Sequence, residues 1–145
     1  MTSTPSEADG RDVVTVLVVD DQAPFREAAR SVVDHLAGFV VVADADSGEA
    51  AIEMVAEHHP DLVLMDIKMG GIDGSGGIDG IEATAAITQR FPETMVVLVS
   101  TYELGDLPPT ARTSGAAAYV NKDDFGGRLL RRLWENSGDP SFRTT

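Results

Sequence analysis

Residues 62–65, Leu-Val-Leu-Met, form an unbroken apolar run that ends on a carboxylate, Asp66. Pro60 precedes the run and Gly70-Gly71 follows it, which leaves too little chain for a helix. Apolarity without alternation suits a strand buried on both faces, as in a parallel sheet covered by helices. Asp66 then stands at the carboxyl end of a central strand, where open α/β sheets bind their ligands. Taken alone, the stretch also fits a loop aspartate that merely caps a helix.

The rest of the chain bears on that choice. VVTVLVV (13–19), FVVVADA (39–45), TMVVLVS (94–100) and AAAYVNK (116–122) read as further strands. Helical spacing runs from about 23 to 37, with Phe25, Ala28, Ala29, Val32, Val33 and Leu36 inward, Pro24 near the start and Gly38 at the end. Ser47 is placed to cap a helix over 48–58 with Ala51, Ile52, Val55 and Ala56 inward, and Pro60 bars its extension. Asp79 caps another over 81–91. Pro108-Pro109 permit only a short helix near 109–114. The last helix, 123–134, turns Phe125, Leu129, Leu130 and Leu133 inward and its arginines outward. Residues 1–12 read as a disordered tail and 136–145 as a flexible polar one, so a single domain spans 13–135. Strand and helix alternating in this way, with short linkers, make a parallel sheet with helices on both faces.

In such a sheet every strand's carboxyl end lies on one edge. Asp20-Asp21, Asp66, Ser100 and Lys122 all occupy such ends, which favours a functional site over a chance cap. Clustered carboxylates repel one another, and a bound cation or protonation relieves them. An all-oxygen ligand set without His or Cys suits a hard ion, with Mg²⁺ the first candidate. A carboxylate is also a nucleophile toward phosphorus and can form an acyl phosphate. Lys122 would add a second positive charge and Ser100 a hydrogen bond to the phosphoryl oxygens. No side chain reads as a base poised to expel the group, so the site suits holding a phosphoryl group rather than fast turnover.

Composition excludes other classes. The net charge of −13, from 24 acidic against 11 basic residues, disfavours nucleic acid as a direct ligand. The absence of cysteine removes disulfides and thiolate metal sites. No apolar run approaches membrane-spanning length and the N-terminus lacks a signal-peptide core, so a cytoplasmic location is expected. Arg112, Arg128, Arg131 and Arg132 are candidates for a local basic patch near the last helix.

VLVVDDQ, LVLMDIKM, IDGIEAT, VVLVSTYE and AAAYVNKDD stand in a characteristic order and spacing. Through them the chain resembles the receiver domains of bacterial two-component response regulators over about residues 13–134. The resemblance implies an α/β, flavodoxin-like, doubly wound five-stranded parallel sheet of order 2-1-3-4-5 with about five helices. It implies that Asp66 is the phosphoacceptor and that Asp20, Asp21 and Asp66 bind Mg²⁺. The backbone carbonyl of Lys68 would complete the protein's share of the metal site. Lys122 and Ser100 would contact the phosphoryl group. Tyr119 matches the aromatic whose rotamer reports activation, making Ser100 and Tyr119 the switch. The implied partners are a histidine kinase or phosphotransfer protein and a protein effector, with no direct nucleic acid and no membrane insertion, and they leave room for a homodimer. The implied role is that of a phosphoacceptor signalling domain, not an enzyme.

The sequence departs from the family pattern at three places. Gly70 stands where proline is usual, and residues 70–81 are a tandem hexapeptide, GGIDGS then GGIDGI, that adds about six residues beside the acceptor. Because they follow Lys68, their ordering is expected to couple to Mg²⁺ binding, which they would weaken. Thr101 replaces a commonly smaller residue, and Pro108-Pro109 shorten the fourth helix. An aspartyl-nucleophile phosphatase would carry a second carboxylate where Lys68 stands, which counts against that rival. A receiver that binds partners without phosphorylation is the other alternative. The linkers resemble receivers that precede a helix-turn-helix domain; the start at Met1 and end at Thr145 lead to the expectation of a stand-alone receiver, a piece of a longer DNA-binding regulator being the alternative.

Overall fold

The architecture follows from strands that are apolar on both sides. The structure, a computed structural model, describes residues 13–69 and 77–144. Its strands are β1 (Val14–Val19), β2 (Phe39–Ala45), β3 (Leu62–Asp66), β4 (Met95–Ser100), β5 (Ala118–Asn121) and β6 (Arg143–Thr144). Its helices are α1 (Ala23–Asp34), α2 (Gly48–His58), α3 (Gly80–Arg90), α4 (Thr110–Thr113) and α5 (Gly127–Glu135). Short 3₁₀ turns span Leu104–Asp106 and Lys122–Asp124. All strand pairs are parallel, in the order β2-β1-β3-β4-β5-β6.

Successive residues of the central strands feed two separate cores. Leu17, Val19, Val63, Met65, Val96 and Leu98 pack with α2, α3 and Ala111 of α4 on one face. Val16, Val18, Leu62, Leu64, Val97 and Val99 pack with α1 and α5 on the other. That is why the strand runs show no polar alternation. Caps fix the helix starts as the sequence suggests. Ser47 Oγ accepts from the Ala50 N–H at 3.1 Å, and Asp79 and Glu82 form a reciprocal capping box at 2.8 and 2.9 Å. Among the described residues no helix is long and apolar enough to cross a membrane.

Four expectations need correction. Among the described residues the sheet has six strands rather than five, because the segment read as a polar tail returns to the β5 edge. There the Arg143 N–H donates to the Ala117 carbonyl at 3.0 Å, and Phe142 packs against the first core beneath the Arg112 guanidinium. Ala28 and Ala56 are exposed, not inward. Each lies one residue, about 100° of helix rotation, off the buried rows Ala29–Val33 and Ala51–Val55. Lys122 does not end β5 but opens the 3₁₀ turn, where the Asn121 side chain accepts from the Asp123 N–H at 2.9 Å. The last helix therefore starts at Gly127 instead of 123, after an extended Gly126.

The duplicated hexapeptide lies mostly outside the described residues, but its second copy does visible work. Glu49 Oε2 accepts from the Ile78 N–H at 2.9 Å, and the Gly80 N–H donates to the Ile67 carbonyl at 3.0 Å. A Cβ on Gly80 would overlap the Asp66 carbonyl oxygen and sit 2.9 Å from the Ile67 Cα. Both obstacles are backbone and cannot swing aside. Gly80→Ala is expected to cost about 1–3 kcal/mol, the range for overpacking a rigid site. Thermal unfolding should register a loss of about 3–10 °C; an unchanged melting temperature would show that α3 is free to shift.

Candidate functional site

The carboxyl ends of β1, β3 and β4 and the turn after β5 meet in one cleft. It is lined by Asp21, Gln22, Asp66, Lys68, Ser100, Thr101 and Lys122. The strands deliver these groups because each terminates where its apolar run ends, and the parallel register brings those ends level. Asp66 pairs with Val99 in the β3–β4 ladder, one residue before Ser100.

Asp20 is wholly buried and Asp66 is 4% exposed, whereas Asp21 is exposed. One carboxylate oxygen from each of the three lies within 4.8 Å of the others. Asp20 is held at several atoms: Oδ1 accepts from the Gln22 N–H at 2.8 Å and its carbonyl accepts from Arg26 Nη1 at 2.7 Å. Asp20 Oδ2 has no hydrogen bond of good geometry among the described residues, but the Lys122 ammonium lies 2.8 Å away as its ionic partner. Lys122 is 3.7 Å from Asp66 Oδ1, so its charge leans toward Asp20.

Burial pushes the Asp66 carboxyl up to about 7, and the neighbouring Asp20 charge adds to the rise; Lys122 pulls it down, Asp21 raises it further and the Lys68 backbone N–H lowers it. One ammonium against three clustered carboxylates leaves negative charge in excess. A hard divalent cation with oxygen ligands fits that deficit. Ser100 adds a second sign of a missing partner: its hydroxyl is buried and has no hydrogen-bond partner among the described residues.

Sequence reasoning brings Asp20, Asp21, Asp66, Lys68, Ser100 and Lys122 to this cleft or its immediate wall. Tyr119 lies elsewhere, inside the first core at 1% exposure. Its hydroxyl reaches the Ser100 carbonyl at 3.1 Å and the Tyr102 carbonyl at 2.7 Å, so it is one residue removed from the cleft. Burial, followed by the Glu103 charge, raises its phenol to about 12, so it stays a donor. The Lys68 ammonium sits 4.4 Å from the Tyr102 ring centroid and 3.4 Å from Thr101 Oγ1.

Two contributors were not legible. Gln22 lines the cleft, and Asn121 Nδ2 donates to the Tyr102 carbonyl at 3.0 Å, doubling the anchor on the loop after β4. Neither residue type carries a spacing signal. Of the four arginines read as a patch, Arg112 stacks on Phe142 and Arg131 donates to the Ala37 carbonyl at 2.6 Å.

A raised Asp66 pKa has a defined sign in stability. The folded chain binds this proton more tightly than the unfolded chain, so the associated stability is present below about pH 4. It is lost as pH rises through about 7. Asp66→Asn should accordingly raise the melting temperature of the metal-free protein at pH 8 by a few degrees, on a scale of about 3 °C per kcal/mol. The gap should narrow toward pH 5. Parallel melting curves for parent and variant across that range would show that the buried carboxylate is not strained.

The sequence matches the response regulator receiver domain over residues 16–133. It is 37% identical over 110 residues to the response regulator GacA of Pseudomonas viridiflava, covering 76% of this chain and 49% of GacA. To the transcriptional regulatory protein DegU of Brevibacillus brevis it is 30% identical over 120 residues, covering 83% of this chain and 48% of DegU. The crystal structure of a LuxR-family two-component response regulator from Aurantimonas sp. SI85-9A1 aligns with a TM-score of 0.76 at 26% identity, over 92% of this chain and 89% of that one. The chain spans about half the length of both sequence relatives. On these matches and on the carboxylate cleft at the sheet edge, the chain belongs to the receiver domains of two-component response regulators.

Proposed function

We propose that Asp66 accepts a phosphoryl group from a histidine kinase or a phosphotransfer protein and that the modified domain then signals through a protein surface in the cytoplasm. Receiver domains of response regulators work with such donors and bind Mg²⁺ at their acidic pocket. The observation that carries the reading for this chain is the trio of carboxylate oxygens within 4.8 Å beside the Lys122 ammonium. The buried, unpartnered Ser100 hydroxyl supports it.

A carboxylate oxygen of Asp66 attacks phosphorus while the P–N bond of the donor phosphohistidine breaks. The imidazole leaves with the electron pair, and a mixed anhydride remains on Asp66. The carboxylates of Asp20, Asp21 and Asp66 and the carbonyl of Lys68 would hold Mg²⁺, which when bound neutralises charge on the phosphoryl oxygens. Lys122 shifts its ammonium from Asp20 to a phosphoryl oxygen. Ser100 donates its hydroxyl to another and so gains the partner it lacks. Movement of Ser100 disturbs the carbonyl that accepts from Tyr119, which makes Ser100 and Tyr119 the two ends of a switch. The acidic balance, −13 over the chain, favours a protein effector over direct contact with nucleic acid.

Intact-mass spectrometry after treatment with phosphoramidate and Mg²⁺ should show one phosphoryl adduct. Asp66→Asn or removal of Mg²⁺ by a chelator should abolish it. An adduct that persists in Asp66→Asn would reassign the acceptor.

A further inference from the structure

The first turn of α1 touches both members of the central ion pair. Arg26 Nη1 holds the Asp20 carbonyl at 2.7 Å. Phe25, its neighbour, presents its ring to Lys122: the ammonium lies 4.5 Å from the ring centroid. The same ammonium faces Asp20 at 2.8 Å and Asp66 at 3.7 Å, so the ring and the carboxylates hold it between them. Phe25 is braced in turn by Phe125, 5.8 Å away between centroids and tilted by 58°. Phe125 closes the turn that Lys122 opens, its N–H donating to the Lys122 carbonyl at 3.3 Å. The two rings thus tie the β5–α5 turn to the start of α1.

We propose that Phe25 is a positioning residue for phosphoryl acceptance, its ring face holding the Lys122 ammonium against the acceptor carboxylates. The inference rests on Asp66 being the acceptor. A lysine side chain is flexible and strongly hydrated, and loses much rotamer freedom when fixed. An aromatic face attracts the ammonium electrostatically and excludes water from one side of it. The ammonium lies 2.8 Å from Asp20 and 3.7 Å from Asp66, so the charge is in place before phosphorus arrives. An aliphatic side chain of similar size would fill the same gap in the second core without holding the charge. The role therefore depends on the ring rather than on apolar volume.

The test compares Phe25→Leu, Phe25→Met and Phe25→Tyr with the parent, each as the whole chain. The protein has two lysines, Lys68 and Lys122, so lysine-labelled NMR spectra are simple, and Lys68→Arg assigns them. In the metal-free parent the Lys122 side-chain protons nearest the ammonium should be shifted upfield by the Phe25 ring. That shift should vanish in the Leu and Met variants and survive in the Tyr variant. Adduct formation from phosphoramidate should slow about fivefold in Leu and Met, the scale of a cation–π contact at a partly buried site. Mg²⁺ affinity by calorimetry should stay near the parent's, and Tyr should retain the parent rate. Absence of the upfield shift in the parent would overturn the proposal whether or not any variant folds. Equal rates in Leu and Tyr would overturn it as well. Failure of the parent to form any adduct would instead strike at Asp66 as acceptor, which the lysine spectra do not depend on.

Discussion

Two buried carboxylates, Asp20 and Asp66, set the terms for the rest of the structure. Carboxylates taken out of water repel each other and resist ionisation unless a cation compensates them. Here Lys122 supplies one charge, and it can do so only if the turn after β5 stays at a fixed distance from the ends of β1 and β3. That distance is maintained by close-packed strands whose side chains are buried on both faces, from Leu17 to Val99. The two apolar cores are thus the frame that keeps an unfavourable charge arrangement from relaxing. Burial and the Asp20 charge together push the Asp66 carboxyl up to about 7.

The same packing explains which parts of the molecule could be read from sequence. Strands β1, β3 and β4 were legible because burial on both faces demands apolar side chains along nearly the whole of each run. The site was legible because polar residues at the ends of such runs must gather on one edge. The missing strand was not, because Arg143 and Thr144 are too few to show a period and only Phe142 marks the segment as packed. The late start of α5 was hidden too: Asp123 and Asp124 look like a helix start, but the Asn121 side chain takes the Asp123 N–H into a 3₁₀ turn. The exposed Ala28 and Ala56 show another limit, since alanine serves either side of a helix without a large penalty.

Tyr119 joins the sheet edge to the side of the carboxylate cleft. Its backbone pairs with Thr144 of β6, while its hydroxyl binds the carbonyls of Ser100 and Tyr102. The Tyr102 carbonyl also accepts from Asn121, so the loop after β4 is fastened twice from β5. The Ser100 carbonyl is thus linked through Tyr119 to β5, the strand on which the chain lays its own carboxyl-terminal segment.

The tandem hexapeptide sits beside this machinery, and its flanks explain how the chain accommodates it. Met69 is buried at 1% exposure and its N–H donates to the Ile67 carbonyl at 3.0 Å. On the far side Ile78 is held by Glu49, Asp79 caps α3, and Gly80 lies against the Asp66 backbone. The Ile-Asp-Gly unit of the second copy makes each of these three contacts. Extra residues between two pinned ends cost little by closure entropy alone, about 0.6 kcal/mol for each doubling of loop length. On the near side of the insertion, the Met69 side chain is locked in the first core. Both described flanks of the insertion, Met69 on one side and Ile78 to Gly80 on the other, are thus held by contacts of their own, one of them against the backbone of β3.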